Sequence, residues 1–151
     1  MRRETRKGKR AQAAVDRVSR EQRTRNMQRI RCRDTFPEII VRHLVCQLGF
    51  RSRYRLNDDK LPGRPDLVFP RLRKIIFVHG CFWHYHRDCK AAHIPQSRRE
   101  YWHPKLKRNR QRDQTNLRTL ERDGWKALVL WECELADQPS VATRIRAFLQ
   151  R

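Results

Sequence analysis

The stretch DLVFPRLRKIIFVHGCFWHYH (residues 66–86) decides the fold. Two short apolar runs, Asp66 to Phe69 and Lys74 to His79, flank a Pro-Arg-Leu-Arg segment that favours a turn, so they predict a β-hairpin. The residues after His79 are crowded with Cys, His and aromatic side chains and follow neither a strand nor a helix period. We therefore expect a hairpin that runs into an irregular loop rich in metal-binding residue types.

Upstream of this hairpin, the sequence predicts an amphipathic helix over residues 36–48. Thr35 is the expected N-cap, Glu38 stands where it completes a capping box, and Gly49 is placed to end the helix. Apolar residues recur at helical spacing and are expected to face the core: Phe36, Ile39, Ile40, Leu44, Val45 and Leu48. Two further elements are expected on this side: a short helix over 24–33 and a strand over 50–56.

Downstream of the hairpin, the sequence predicts a helix, a strand and a second helix. A polar helix is expected from Pro104 to Arg122, followed by a strand over 125–131 and a helix over 140–149. The polar helix carries one inward stripe: Leu106, Asn109, Asp113, Leu117 and Leu120. This order of elements predicts an α/β fold in which helices flank a central mixed β-sheet.

The composition indicates a polyanionic partner. The 151 residues include 37 Lys and Arg against 16 Asp and Glu, a net charge of +21, which favours nucleic acid over an acidic membrane surface. No apolar run approaches the ~18 residues of a membrane span, and no secretory signal stands at the N-terminus, so we expect a cytoplasmic protein. One domain is expected over 24–151. We expect residues 1–23 to form a basic, disordered arm that either binds phosphate or only aids solubility.

Five cysteines and no secretory signal argue against a disulfide framework. Cys81, His86 and Cys89 are closely spaced, and Cys133 follows the last predicted strand, so together they can supply the four ligands of a structural zinc site. The alternative is four unrelated buried residues, because the spacing matches no standard zinc finger.

A second set of polar residues can be interpreted either as a metal-dependent nuclease site or as separate structural residues. Asp66 and His79 lie at strand ends that can converge, and Asp66 can hold Mg²⁺. Glu38 faces the same end if its helix packs on the hairpin, although it can equally serve only the capping box. Asp113 and Asn109 can reach the same site, or Asp113 can pair with Arg112. His84 is able to move a proton near neutral pH.

Large aromatic side chains stand among the cations. Phe82, Trp83 and Trp102 lie in basic, irregular segments, where such rings can stack on bases or wedge between base pairs. A place in the core is an equally good interpretation of Phe82. Trp125 and Trp131 alternate along a predicted strand and are expected in the core.

Together these residues closely resemble the very-short-patch-repair (Vsr) DNA mismatch endonucleases. The matching strings cover most of the chain: TRNMQRIRCRDT (24–35), LPGRPD (61–66), IIFVHGCFWHYH (75–86), EYWHPKLKRNRQRD (100–113) and GWKALVLWEC (124–133). The resemblance implies a restriction-endonuclease-like core with a structural zinc site. It also implies an enzyme that nicks one strand of double-stranded DNA beside the thymine of a T:G mismatch.

The resemblance also assigns roles to individual residues. It implies that Asp66 and the backbone carbonyl of Val78 bind Mg²⁺. Glu38 and Asp113 would hold metal-bound waters or orient neighbours. His84 would act on the attacking water, and His79 would lie at the scissile phosphate. It assigns a structural Zn²⁺ to Cys81, His86, Cys89 and Cys133. The expected DNA-contacting residues are Phe82, Trp83, Trp102, Asn109, Arg25 and Asn26.

By the same resemblance we expect a monomer of bacterial type, associated with the nucleoid and with mismatch-repair proteins as possible partners. The alternative function is a non-catalytic, zinc-stabilised DNA-binding protein that uses the same basic surface. Asp66 discriminates between the two, because a protein that only binds DNA has no need of a carboxylate facing phosphate.

Overall fold

The computed structural model describes residues 33–95 and 98–150, together with Ser19, Glu21, Gln22 and Arg25. The predicted helix over 24–33 and the basic arm therefore lie largely outside the described residues, and Asn26 lies wholly outside them. None of the helices in the described part of the chain combines the length and the apolar composition of a membrane span.

From residue 33 onward, the described residues form three α-helices and a four-stranded sheet in strand order β1-β2-β3-β4. The elements are α1 (Phe36–Gln47), β1 (Arg55–Leu56), β2 (Leu67–Phe69), β3 (Lys74–His79), α2 (Arg99–Arg122), β4 (Lys126–Trp131) and α3 (Gln138–Gln150). The first three strands are antiparallel neighbours, whereas β4 pairs with β3 in parallel after the crossover through α2. The predicted α/β fold with a mixed sheet is thus confirmed.

The predicted hairpin is formed by β2 and β3. Residues Pro70–Leu72 make a short 3₁₀ turn, and Arg73 adopts a left-handed conformation with φ of 53° before β3 begins. Phe69 pairs with Lys74 at the turn, and Leu67 pairs with Ile76 two residues further along each strand. This register brings Asp66, just before β2, next to the end of β3.

Apolar side chains cover both faces of the sheet. Along β3, Ile76 packs with α1 and α3 on one face, while Ile75 and Phe77 pack on the other face with Leu120 of α2. This alternation is the two-residue period of a strand, so β3 is covered on both sides by helices. The end of β3 consequently carries its polar residues into a site fixed by a packed scaffold.

The inward face of α1 differs from the prediction at its first turn. Phe36 and Ile39 are 75% and 50% exposed, whereas Val41, Leu44 and Val45 are buried. The other predicted residues, Ile40, Leu44, Val45 and Leu48, lie in or against the core, so the prediction is wrong only for Phe36 and Ile39. Gly49 follows the end of α1 with φ of 84°, as predicted.

The predicted strand over 50–56 is wrong except at its end. The amide of Phe50 donates to the carbonyl of Val45, and the amide of Arg53 donates to that of Phe50, so this segment continues as turns after the helix. Phe50 still reaches the core, where it is 8% exposed. The alternating apolar pattern of this segment therefore reflects packing within turns, and the strand β1 comprises only Arg55–Leu56.

The helix α2 begins at Arg99 and not at Pro104. Pro104 lies inside the helix, where its missing N–H removes one hydrogen bond. The turn before it is held by the amides of Tyr101 and Trp102, which both donate to the carbonyl of Arg98. Ring contacts of Trp102 with Phe82 and Trp83 anchor the same turn, so tertiary packing outweighs the proline.

Leu130 tests the packing of the parallel strand pair. Its side chain is fully buried, so Leu130→Ala should lower the free energy of unfolding by about 2–5 kcal/mol through lost transfer energy and the cavity left behind. Urea unfolding followed by circular dichroism measures this change. Leu72→Ala is the control, because Leu72 is 36% exposed. An equal cost for both variants would contradict this packing.

Candidate active site and metal centre

A cleft of about 940 Å³ opens where β3 ends. Its walls come from the loop before β2, the end of β3, the loop that follows, α2 and the start of α1. Its charged and titratable lining residues are Arg33, Glu38, Arg64, Asp66, His79, His84, Arg112, Asp113 and Glu132. The cleft therefore collects the carboxylates and histidines that the sequence predicted to converge.

Asp66 is held by the backbone of the neighbouring strand. The amide of Val78 donates to Oδ2 of Asp66 over 2.6 Å. Burial raises the pKa of Asp66 to about 6; the hydrogen bond from Val78 opposes this shift, and the negative charge of Glu38 adds to it. A cation at this carboxylate would offset both the burial and the repulsion.

Glu38 is a buried carboxylate with partners on the chain. Its Oε1 accepts from the hydroxyl of Thr35 over 2.8 Å, and its Oε2 accepts from the amide of Asp34 over 3.0 Å. The reciprocal capping box predicted for Thr35 is therefore wrong, since the Thr35 side chain caps no helix amide. The hydroxyl is instead used to orient Glu38 in the wall of the cleft.

His84 and Asp113 form a close pair across the cleft. Nδ1 of His84 lies 2.7 Å from Oδ2 of Asp113, and an ionised carboxylate only accepts, so Nδ1–H is the donor. This bond leaves Nε2 of His84 free to take a proton. Asp113 also lies 3.9 Å from the guanidinium of Arg112, so the predicted pair with Arg112 accompanies the histidine contact.

His79 lies directly against His84. The two imidazole rings stack with centroids 3.8 Å apart and an angle of 4° between their planes. The pKa of His79 is lowered to about 3, mainly by burial and also by the neighbouring His84, while Asp113 opposes the shift. His79 is therefore neutral at pH 7 and supports the ring of His84 without competing for charge.

The four predicted metal ligands come together at the end of the sheet. Their ligand atoms, from Cys81, His86, Cys89 and Cys133, all lie within 4.8 Å of one another. Nδ1 of His86 is 3.6 Å from Sγ of Cys81 and 3.5 Å from Sγ of Cys133. Zn–S and Zn–N bonds of ~2.3 and ~2.0 Å place tetrahedral S and N ligands at about this separation, so the group could hold zinc.

Trp131 supports this cluster instead of the apolar core. Its ring stacks on His86 with centroids 4.0 Å apart and an angle of 3°, and it meets His79 edge-on at 5.2 Å. The expectation that Trp131 is a core residue is therefore wrong. Trp125 does pack against the apolar core, next to Leu120 of α2 and its buried neighbours. A strand end that faces two polar groups explains the difference.

Phe82, Trp83 and Trp102 form one aromatic cluster at the rim of the cleft. Their ring centroids lie 5.0 to 6.1 Å apart, and each ring is only partly buried. Nδ2 of Asn109 donates to the carbonyl of Trp83 over 3.2 Å. The amide of Asn109 thus fixes the loop that carries two of the rings.

Some residues of the cleft were not predicted from the sequence. Oε2 of Glu132 accepts from the amide of Cys81 over 3.4 Å and so joins the cleft to the Cys/His cluster. Arg64 and Asn116 line the same cleft. The position of Glu132 beside Cys133 was the available signal for it. Arg25, expected to contact DNA, is helical and exposed in the structure.

Comparison with known proteins places this chain among DNA endonucleases. A sequence profile described as DNA mismatch endonuclease Vsr matches residues 15–91. The type II nicking enzyme V.XorIIP of Xanthomonas oryzae pv. oryzae is 46% identical over 135 residues, which cover 89% of this chain and 97% of the relative. DNA mismatch endonuclease Vsr of Escherichia coli is 41% identical over 113 residues, which cover 75% of this chain and 70% of the relative.

Asp66 makes stability depend on pH in a direction opposite to most carboxylates. Because burial raises its pKa to about 6, its contribution to stability falls as pH rises from 4 to 6. Asp66→Asn should therefore match the wild type at pH 4 and be more stable by on the order of 1–3 kcal/mol at pH 7, without added divalent cation. Thermal melting across this pH range measures the difference.

The control for this experiment is Asp59→Asn, because Asp59 is exposed. It should follow the wild type at every pH. A difference between Asp66→Asn and the wild type that stays constant from pH 4 to 7 would show that Asp66 titrates normally.

Proposed function

This chain belongs to the Vsr family of DNA mismatch endonucleases, and we propose that it nicks one strand of double-stranded DNA next to the thymine of a T:G mismatch. Such mismatches arise when 5-methylcytosine is deaminated, and the nick would begin very short patch repair. The observation that carries the proposal is the His84–Asp113 pair facing Asp66 in a single cleft. A protein that only binds DNA has no use for this arrangement.

His84 acts as the general base in this proposal. Its Nδ1–H is engaged by Asp113, so Nε2 takes the proton of a water molecule that attacks phosphorus in line with the leaving oxygen. The carboxylate of Asp113 stabilises the imidazolium that forms. The neutral ring of His79 lies flat against His84 and keeps it oriented. The products are a 3′-hydroxyl and a 5′-phosphate.

The donor set around Asp66 fits Mg²⁺. Asp66 and Glu38 offer carboxylate oxygens in the same wall, where the charge of Glu38 raises the pKa of Asp66, and hard oxygen donors are what Mg²⁺ prefers. Asp66 and the backbone carbonyl of Val78 would hold the ion. When bound, Mg²⁺ offsets the negative charge that builds on the phosphate and the leaving oxygen.

Nicking assays on a panel of labelled duplexes test this function. The wild type should nick the T:G duplex in the presence of Mg²⁺ and leave the matched duplex intact. Asp66→Asn should abolish nicking while keeping or strengthening DNA binding, because a negative charge facing phosphate is removed. His84→Ala should lose roughly 10²–10⁴-fold in rate.

Asp59→Asn is the matched control, since it removes an exposed carboxylate outside the cleft. It should nick at the wild-type rate. An Asp66→Asn variant that is equally active would mean that the chemistry occurs elsewhere. Binding without nicking of any duplex by the wild type would favour the non-catalytic alternative.

The Cys/His cluster supports a structural zinc ion. Four soft donors at tetrahedral separation leave no open position for substrate, and burial raises the pKa of the Cys81 thiol to about 12, so this thiol ionises at neutral pH only beside a cation. Zinc would tie the loop after β3 to the loop after β4. The ion would thereby fix the loop that carries His84 and Trp83.

Metal analysis of the purified protein should find one Zn²⁺ per chain. Cys133→Ser should lower the zinc content and the melting temperature, because zinc binding contributes folding free energy. Cys46→Ser is the control, since Cys46 lies outside the cluster, with its Sγ 3.8 Å from the hydroxyl of Tyr54. A wild-type protein that contains no zinc would refute this assignment.

The aromatic cluster is suited to recognise the mismatch. A T:G wobble pair stacks less well than a Watson–Crick pair, so opening the stack beside it costs less, and an inserted ring converts that difference into specificity. Phe82, Trp83 and Trp102 remain partly exposed beside the cleft, and Lys105 lies 5.2 Å from the Trp102 ring centroid. Rings among cations are suited to enter a nucleic-acid duplex.

Trp83→Ala separates recognition from stability. It should weaken binding to the T:G duplex by about 1–3 kcal/mol, the worth of one base–aromatic stack, and weaken binding to the matched duplex less. Trp125→Phe is the control, because Trp125 packs beneath α2 away from the rim; it should change stability without changing discrimination. If Trp83→Ala weakens both complexes equally and lowers the melting temperature, the ring is part of the core.

A further inference from the structure

The loop that leads into Asp66 has an unusual backbone. Gly63 and Arg64 both have positive φ, 77° and 51°, and the amide of Arg64 donates to the carbonyl of Leu61 over 3.1 Å. A side chain at position 63 would start 3.0 Å from Nδ2 of Asn116, so the loop is pressed against α2. The surrounding structure therefore imposes a left-handed conformation on an arginine, which such a residue seldom adopts unaided.

This conformation places a cation in the wall of the cleft. Arg64 lines the cleft together with Asp66, two residues further along the same loop, and its side chain is exposed. Among the described residues, nothing forms an ion pair or a side-chain hydrogen bond with the Arg64 guanidinium. Arg112, another arginine of the cleft, lies 3.9 Å from the carboxylate of Asp113. The charge of Arg64 is thus available to an anion that enters beside Asp66.

We propose that Arg64 is a further catalytic residue, whose guanidinium donates to a non-bridging oxygen of the scissile phosphodiester. This inference rests on the nicking function proposed above. A guanidinium matches two phosphate oxygens with parallel N–H donors and keeps its charge at every relevant pH. The loop pressed on α2 fixes the backbone from which this side chain extends, so the positive charge stays beside the cleft, where it can stabilise the negative charge that builds on the phosphate oxygens.

The step itself leaves Arg64 covalently unchanged. The oxygen of water bonds to phosphorus while the bond from phosphorus to the 3′ oxygen breaks. The proton of the water passes to Nε2 of His84, and the leaving 3′ oxygen takes up a proton from solvent. Arg64 contributes only hydrogen bonds and charge to the phosphate oxygens.

Two substitutions test the role of the guanidinium without straining the loop. Arg64→Asn removes the charge with a residue that tolerates positive φ, and Arg64→Lys keeps the charge but loses the paired donors. Arg71→Asn is the control, because Arg71 is exposed on the hairpin turn outside the cleft. Single-turnover nicking of the T:G duplex is measured at saturating protein, with melting temperature and duplex affinity recorded for each variant.

Arg64→Asn should lower the single-turnover rate by roughly 10²–10³-fold, the loss typical of one donor to a developing oxyanion. Its melting temperature should equal or exceed that of the wild type, and Arg64→Lys should recover part of the rate. A rate within about threefold of the wild type, judged at saturation, would overturn the proposal. A loss matched by a lower melting temperature in Arg64→Asn would also overturn it, because the residue would then be structural.

A modified duplex reports the contact itself. With a neutral methylphosphonate at the scissile position, the wild type should lose affinity, whereas Arg64→Asn should lose less because its contact is already absent. Equal losses would place the guanidinium elsewhere. If neither the wild type nor Arg71→Asn nicks any duplex, the proposed function itself fails; if both nick and Arg64→Asn nicks as fast, only the role of Arg64 fails.

Discussion

The parallel pairing of β3 with β4 is the constraint on which the rest of the site depends. His79 pairs with Trp131 at the last step of the register, so both strands end at the same edge of the sheet. The loops that follow must therefore run side by side, and Cys81 and Cys133 meet although they are far apart in sequence. An antiparallel partner for β3 would have carried Cys133 to the opposite edge.

The cleft at this edge brings four carboxylates together with three arginines. Burial raises the pKa of Asp66, the negative charge of the neighbouring Glu38 adds to this shift, and the buried His79 is held neutral. Preassembling like charges costs stability, as is common at functional sites. The apolar packing of β3 between helices on both faces of the sheet compensates for this loss of stability.

The sequence predicted the parts of the molecule that local patterns determine. Two apolar runs around a turn give the hairpin, and the close spacing of Cys81, His86 and Cys89 leads to their observed cluster. Prediction from the sequence failed where tertiary contacts override local rules. Ring packing allows α2 to continue through Pro104, and the hydroxyl of Thr35 donates to Glu38 instead of capping the helix. The position of Arg64 in the cleft depends on the left-handed backbone of one loop. Gly63 is the only sequence signal for that conformation.

The loop after β3 serves two neighbouring sites within residues 81–86. Cys81 and His86 turn toward the Cys/His cluster, whereas Trp83 and His84 turn toward the cleft. A substitution here alters the contacts of one site, but inserting or deleting a residue between Cys81 and His86 would shift the ligands of the Cys/His cluster relative to Trp83 and His84 in the cleft. The length of this short segment therefore sets how the two sites are placed relative to one another.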